Sequence, residues 1–176
     1  CVDSVDIESW YCWWAHPSGR AYRHQQYDAY LLNEVLPLMY AKNNTNFTMT
    51  IGASFGAYHA MNFGLRHPDR VNRIVALSGL FNIRRLTGGY SDENVYFNNP
   101  VDFIAQESDP YRLERLRQQD IIMATGTDDR LIDSAREMSS ILWSKGIGNA
   151  LREWNGWYHD WSYWQEMTLK YIGGHD

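Results

Sequence analysis

Segments that read as strands alternate with segments that read as helices along this chain, so the sequence predicts an α/β fold with a mostly parallel, twisted sheet flanked by helices. Three observations carry that expectation. Short apolar, β-branched runs end in turn residues; the runs between them place apolar residues at helical spacing; and one strand-to-helix junction, Thr48 to Ala60, contains the small-x-Ser-x-small turn Gly52-Ala53-Ser54-Phe55-Gly56.

Taken in order, Cys1 to Val5 reads as a short strand and Asp6 to Arg20 as a loop laden with Trp10, Tyr11, Trp13 and Trp14. Loop aromatics either cap a core or line a cleft. From about Tyr22 to Tyr40, Tyr27, Leu31, Val35 and Leu38 recur at helical spacing, with a kink or end expected near Pro37. A polar loop, Lys42 to Asn46, leads to the strand before Ser54. The following helix carries Ala57, Ala60, Met61 and Phe63 and stops at His67-Pro68. Arg73 to Leu77 is a buried strand closed by Ser78-Gly79, and Leu80 to Pro100 is an irregular excursion expected to lie over the strand ends. Asp109-Pro110 caps a short helix to about Gln118. Ile121 to Thr125 is a strand ending in Gly126-Thr127-Asp128-Asp129. A helix marked by Leu131, Ala135, Met138 and Leu142, a last strand from Ala150 to Trp154, and a final helix opened by His159-Asp160-Trp161 complete the chain.

Bulk properties narrow the function. At 176 residues the chain fits one domain, and a net charge of -5 with a pI near 5.6 argues against nucleic acid and against a polybasic membrane patch. No apolar run approaches the length of a bilayer span. Cys1 and Cys12 form neither a disulfide framework nor a metal finger, and a cytoplasmic setting is expected. Asn43-Asn44-Thr45 and Asn46-Phe47-Thr48 match the glycosylation acceptor pattern, a pattern common by chance in polar loops.

Chemistry points to the carboxyl ends of the strands, where ligands of open α/β sheets bind. Ser54 at the tip of a sharp turn is a candidate nucleophile, with Gly52 and Gly56 as the small neighbours that let strand and helix approach. The N–H of Phe55, opening the helix, is a candidate oxyanion donor. A serine needs a base, and the base a carboxylate partner. His159 follows the last strand and Asp129 follows the one before it, so Ser54, Asp129 and His159 stand in the chain order of an α/β-hydrolase triad. Asp128 is the alternative acid; Asp129 is preferred because it lies past the tight turn, and one of the two is expected to cap the next helix. Asp133 falls on a solvated helix face. His59 and His67 belong to the elbow helix, His175 to the tail, and His16 and His24 to the aromatic segment, as exposed or satisfied residues or as cleft residues. No His/Asp/Glu pair has metal-ligand spacing, so no metal is expected.

Together, GASFG followed by HPDRV, the strand ending in LSG, the GTDD turn and HDWSYW resemble the "Putative esterase" family of α/β-hydrolases, which includes esterase D-like and enterochelin-esterase-like serine esterases. The resemblance runs from Cys1 to about Ile172. It implies a three-layer α/β-hydrolase fold and hydrolysis of small carboxylic esters, with Ser54 as nucleophile, Asp129 as acid, His159 as base and no cofactor. Trp10, Trp13, Trp14, Trp157, Tyr158 and Trp161, if they line the cleft, suit a flat aromatic or sugar-linked substrate. About fifty residues precede Ser54, too few for the early strands and for the loop that gives the second oxyanion donor. Residues 1–176 are therefore expected to form a single domain that is the C-terminal portion of a longer protein and lacks its first strands. The rival readings are an acyltransferase on the same fold and a catalytically silent binding protein.

Overall fold

Ile74–Leu77 and Ile121–Ala124 are uninterrupted apolar runs, the pattern of strands covered on both faces, and they lie in the two middle strands of the sheet. The computed structural model describes residues 1–174; His175 lies outside the described residues. In chain order the elements are α1 (Pro17–Tyr30), a wide π-helical segment (Leu31–Val35), α2 (Leu36–Lys42), β1 (Met49–Ala53), α3 (Phe55–Arg66), β2 (Arg73–Leu77), α4 (Glu93–Tyr96), α5 (Pro100–Gln106), α6 (Pro110–Arg117), β3 (Asp120–Gly126), α7 (Ile132–Ser144), β4 (Ala150–Trp154) and α8 (Trp161–Tyr171).

These elements group into two compact units, one of Cys1–Phe47 and Ile83–Asn99, the other of Thr48–Asn82 and the chain from Pro100 onward. In the first unit, Cys1 to Val5 forms no strand, contrary to expectation, because among the described residues no strand pairs with it. Helix α1 starts at Pro17, earlier than the periodicity suggests, with His16 as its cap: the imidazole accepts the Ser18 N–H at 3.3 Å. Histidine is an uncommon cap, and Pro17 at the first helical position is the clearer signal. The disturbance expected near Pro37 is the π-helical segment just before it, in which the Leu36 N–H reaches back to the Leu31 carbonyl. Widening the turn there relieves the clash between a proline ring and the preceding turn. Arg20 is buried and donates to the carbonyls of Trp10 and Leu86 at 3.3 and 2.8 Å. Within the excursion after β2, Asp92 caps the short α4 by accepting the Val95 N–H at 2.8 Å.

The second unit holds the sheet. Its order is β1-β2-β3-β4, every pairing is parallel, and Ala53, Leu77 and Ala124 stand side by side near the carboxyl ends. Alternation along the strands sends Val75, Leu77, Ile122 and Ala124 to one face, where Trp164, Met167 and Tyr171 of α8 close the core. On the other face α3 lies so close to β2 that a Cβ on Gly64 would meet the Ile74 side chain. At the opposite end of the strands, Arg73 pairs with Asp120 at 2.6 Å and donates to the Ile172 carbonyl at 3.0 Å, which ties the end of α8 to the sheet. No helix among the described residues is long and apolar enough to cross a membrane.

Candidate active site

The turn after β1 is strained. Ser54 has φ 55 and ψ -119, a conformation that L residues seldom adopt, while its N–H extends the ladder to the Leu77 carbonyl at 2.8 Å. Only glycine fits at position 52, since a Cβ there would collide with the Gly56 carbonyl. A Cβ at Gly56 itself would meet nothing within 4 Å. The close approach is thus between the backbone of residue 56 and residue 52, and position 56 has room for a Cβ. Phe55 is the first residue of α3, so its N–H belongs to the positive end of that helix.

The loops after β3 and β4 are stitched together. The Thr127 N–H donates to the Trp154 carbonyl at 2.9 Å, the Asp128 N–H to the Trp157 carbonyl at 3.2 Å, and the Gly156 N–H to the Thr127 hydroxyl at 2.7 Å. Gly126 ends β3 where a Cβ would strike the Trp157 carbonyl. Gly156 takes a positive φ of 69, which a glycine accepts without strain.

This stitching brings three side chains into one chain of hydrogen bonds. His159 Nε2 lies 2.8 Å from Ser54 Oγ, and His159 Nδ1 lies 3.0 and 3.1 Å from the two carboxylate oxygens of Asp129. The Asp129 side chain is wholly buried and that of His159 is 14% exposed. Asp129 Oδ1 also accepts the Leu131 N–H at 2.8 Å, so the buried carboxylate has partners from two directions. A carboxylate only accepts, so Nδ1 carries the proton and Nε2 is left to accept from the serine hydroxyl. Asp128 is exposed and pairs with neither His159 nor Ser54, and α7 starts without a side-chain cap from either aspartate. Asp133 is solvated, as expected, on α7. Asp160 caps α8, and the N–H and hydroxyl of Ser162 hold its carboxyl below the ordinary aspartate range.

The aromatic residues divide. Trp10 is fully buried against His24 in the first unit, a packing role rather than a cleft-lining one, whereas Trp13 and Trp14 are 61% and 80% exposed. Trp157 is half-buried between Trp154 and Tyr163. Tyr158 and Trp161, on either side of His159 in the sequence, are 57% and 69% exposed. His16 serves as a helix cap, His24 is buried in the first unit, and His59 and His67 stay on α3 and at its end. The sequence reading missed Ser78 and Trp164 as neighbours of the site. Ser78, like Ser54, has a positive φ, at 51, and accepts the Trp164 indole N–H at 2.9 Å. Trp164 in turn stands perpendicular to the His159 ring, with centroids 4.7 Å apart. The signals were the Ser-Gly end of β2 and a tryptophan on the inner face of α8.

Comparison with known proteins identifies the family and the fold. The family model described as "Putative esterase" matches residues 2–170. The chain belongs to that family. An acetyl esterase of Caldicellulosiruptor saccharolyticus is 30% identical over 131 residues, which are 65% of this chain and 49% of the relative. A ferulic acid esterase of known structure superposes with a TM-score of 0.66 at 27% identity, covering 81% of this chain and 57% of that one. An S-formylglutathione hydrolase of Staphylococcus aureus superposes at 0.57 with 20% identity, covering 86% and 61%, a likeness of fold alone. This member of the esterase family therefore has the α/β-hydrolase fold, and it spans about half the length of the curated relative it matches.

Proposed function

We propose that this chain carries the catalytic triad of a serine esterase that hydrolyses small carboxylic esters through an acyl-enzyme. The observation that carries the reading is the continuous hydrogen-bonded chain from Asp129 through His159 to Ser54. His159 takes the Ser54 proton as Oγ attacks the ester carbonyl, and Asp129 fixes the imidazole tautomer and stabilises the imidazolium that forms. The oxyanion is held in part by the Phe55 N–H. His159 then returns its proton to the departing alcohol, and a water activated by the same ring releases the acid. The names of the relatives, acetyl esterase and ferulic acid esterase, support small or aromatic acyl groups as first substrates. Exposed Trp161 and Tyr158 beside His159 support a flat group near the scissile bond. The unpaired thiols Cys1 and Cys12 are compatible with a cytoplasmic setting.

A fluorophosphonate probe together with a small chromogenic ester tests the reading. Labelling at Ser54 and turnover that vanishes in Ser54→Ala are expected. Turnover retained in Ser54→Ala overturns it, a folded protein that neither labels nor turns over indicates a binding protein, and product captured by added alcohol in preference to water indicates an acyltransferase.

A further inference from the structure

Ser54 and Ser78 occupy equivalent places one strand apart. Each follows the last residue of its strand, Ala53 and Leu77 being register partners, and each has a positive φ. The N–H of each continues the ladder, to the Leu77 and Ala124 carbonyls respectively, at 2.8 Å in both cases. Glycine would meet this backbone requirement with less strain. A serine there has a use for its hydroxyl, and the buried Ser78 hydroxyl accepts the indole N–H of Trp164.

That indole is 6% exposed, packed in the core cluster of β2, β3 and α8, with Trp161 edge-on at 5.2 Å. It stands at 89° to the His159 imidazole. Hydrogen bonds at the two ring nitrogens fix the ends of the imidazole along its length. They oppose a swing of the ring plane less strongly, because hydrogen-bond strength tolerates moderate angular change. A rigid ring packed at right angles blocks that swing.

We propose that Trp164, anchored by the Ser78 hydroxyl, is a positioning residue that holds the plane of the His159 ring in line with Ser54. The proposal rests on the reading of His159 as general base. It assigns Ser78 a role that acts through Trp164, with no contact to substrate.

Three variants of the full chain test it: Trp164→Leu removes the ring, Trp164→Phe keeps a ring without the N–H, and Ser78→Gly keeps the positive φ while removing the side chain that carries the hydroxyl. kcat and KM for a chromogenic ester are measured, with kcat referred to the sites that a fluorophosphonate labels at end point. Trp164→Leu is expected to lower kcat per labelled site by about 10- to 100-fold with KM nearly unchanged. Trp164→Phe should recover most of that loss, and Ser78→Gly should fall between. A loss confined to the number of labelled sites, or carried by KM, overturns the proposal, because folding or substrate contact would then explain it. Should Trp164→Leu not fold, wild-type kcat per site in both Ser78→Gly and Trp164→Phe overturns it equally. Turnover that survives Ser54→Ala instead overturns the triad itself, a result that the other variants do not produce.

Discussion

His159 Nε2 meets Ser54 Oγ at 2.8 Å across 105 residues of sequence, and the contact exists because the turns after β1 and β4 open at the same end of the sheet. A side chain that far along the chain adopts this geometry only when four parallel strands and both turns are in place. The strain at Ser54 is thus maintained by the fold around it.

Removing that strain separates stability from activity. Ser54→Gly should raise the unfolding free energy by about 1 kcal/mol, since glycine adopts φ 55 readily, and should abolish ester turnover. Ser54→Ala should abolish turnover with little change in melting temperature. Thermal melts beside initial-rate assays check both, and a Ser54→Gly protein that melts lower than wild type would contradict the claim of strain.

The two neighbouring aspartates should behave differently. Asp129→Asn is expected to lower kcat by about 10⁴-fold, because an amide no longer holds His159 in the working tautomer. Asp128→Asn should stay within about twofold of wild type, since its exposed carboxylate touches neither partner. Steady-state kinetics on the two proteins decide it.

Glycines 52 and 56 look alike in the elbow yet face different surroundings. Gly52→Ala should destabilise by about 3 kcal/mol, as its Cβ meets the Gly56 carbonyl. Gly56→Ala has open space and should change stability by less than about 1 kcal/mol, on the favourable side. Denaturant titration of both variants gives the comparison.

Asp160 sets a pH dependence of stability. Its carboxyl titrates lower in the folded chain because Ser162 donates two hydrogen bonds to it, so the carboxylate cap stabilises fully above the unfolded value of about 4. That contribution disappears as pH falls through the lower folded value. Wild type should therefore melt higher than Asp160→Ala at neutral pH, with the gap closing below about pH 4. A gap that stays constant over that range would show that the charge takes no part in the cap.

The four strands, the helices around the elbow and the three residues that the structure joins by hydrogen bonds could be read from the sequence because each leaves a local trace: a continuous apolar run, a 3.6-residue period, or a polar residue just past a strand. What could not be read depends on partners distant in sequence. Cys1 to Val5 has strand-like residues, but a strand needs a neighbour to pair with. Trp10 and Trp14 share one aromatic segment, yet one is buried and the other is 80% exposed. Composition does not separate them. Ser78 looked like a simple strand ending, and its hydroxyl acquires a role only when α8 folds back to bring Trp164 onto it.

The order of the triad along the chain also has a consequence in time. A ribosome makes Ser54 first, Asp129 later and His159 only after β4, so the serine is without its hydrogen-bond partner until 105 further residues have been made. Formation of the Ser54–His159 hydrogen bond would then mark the closing of the β4–α8 turn during folding.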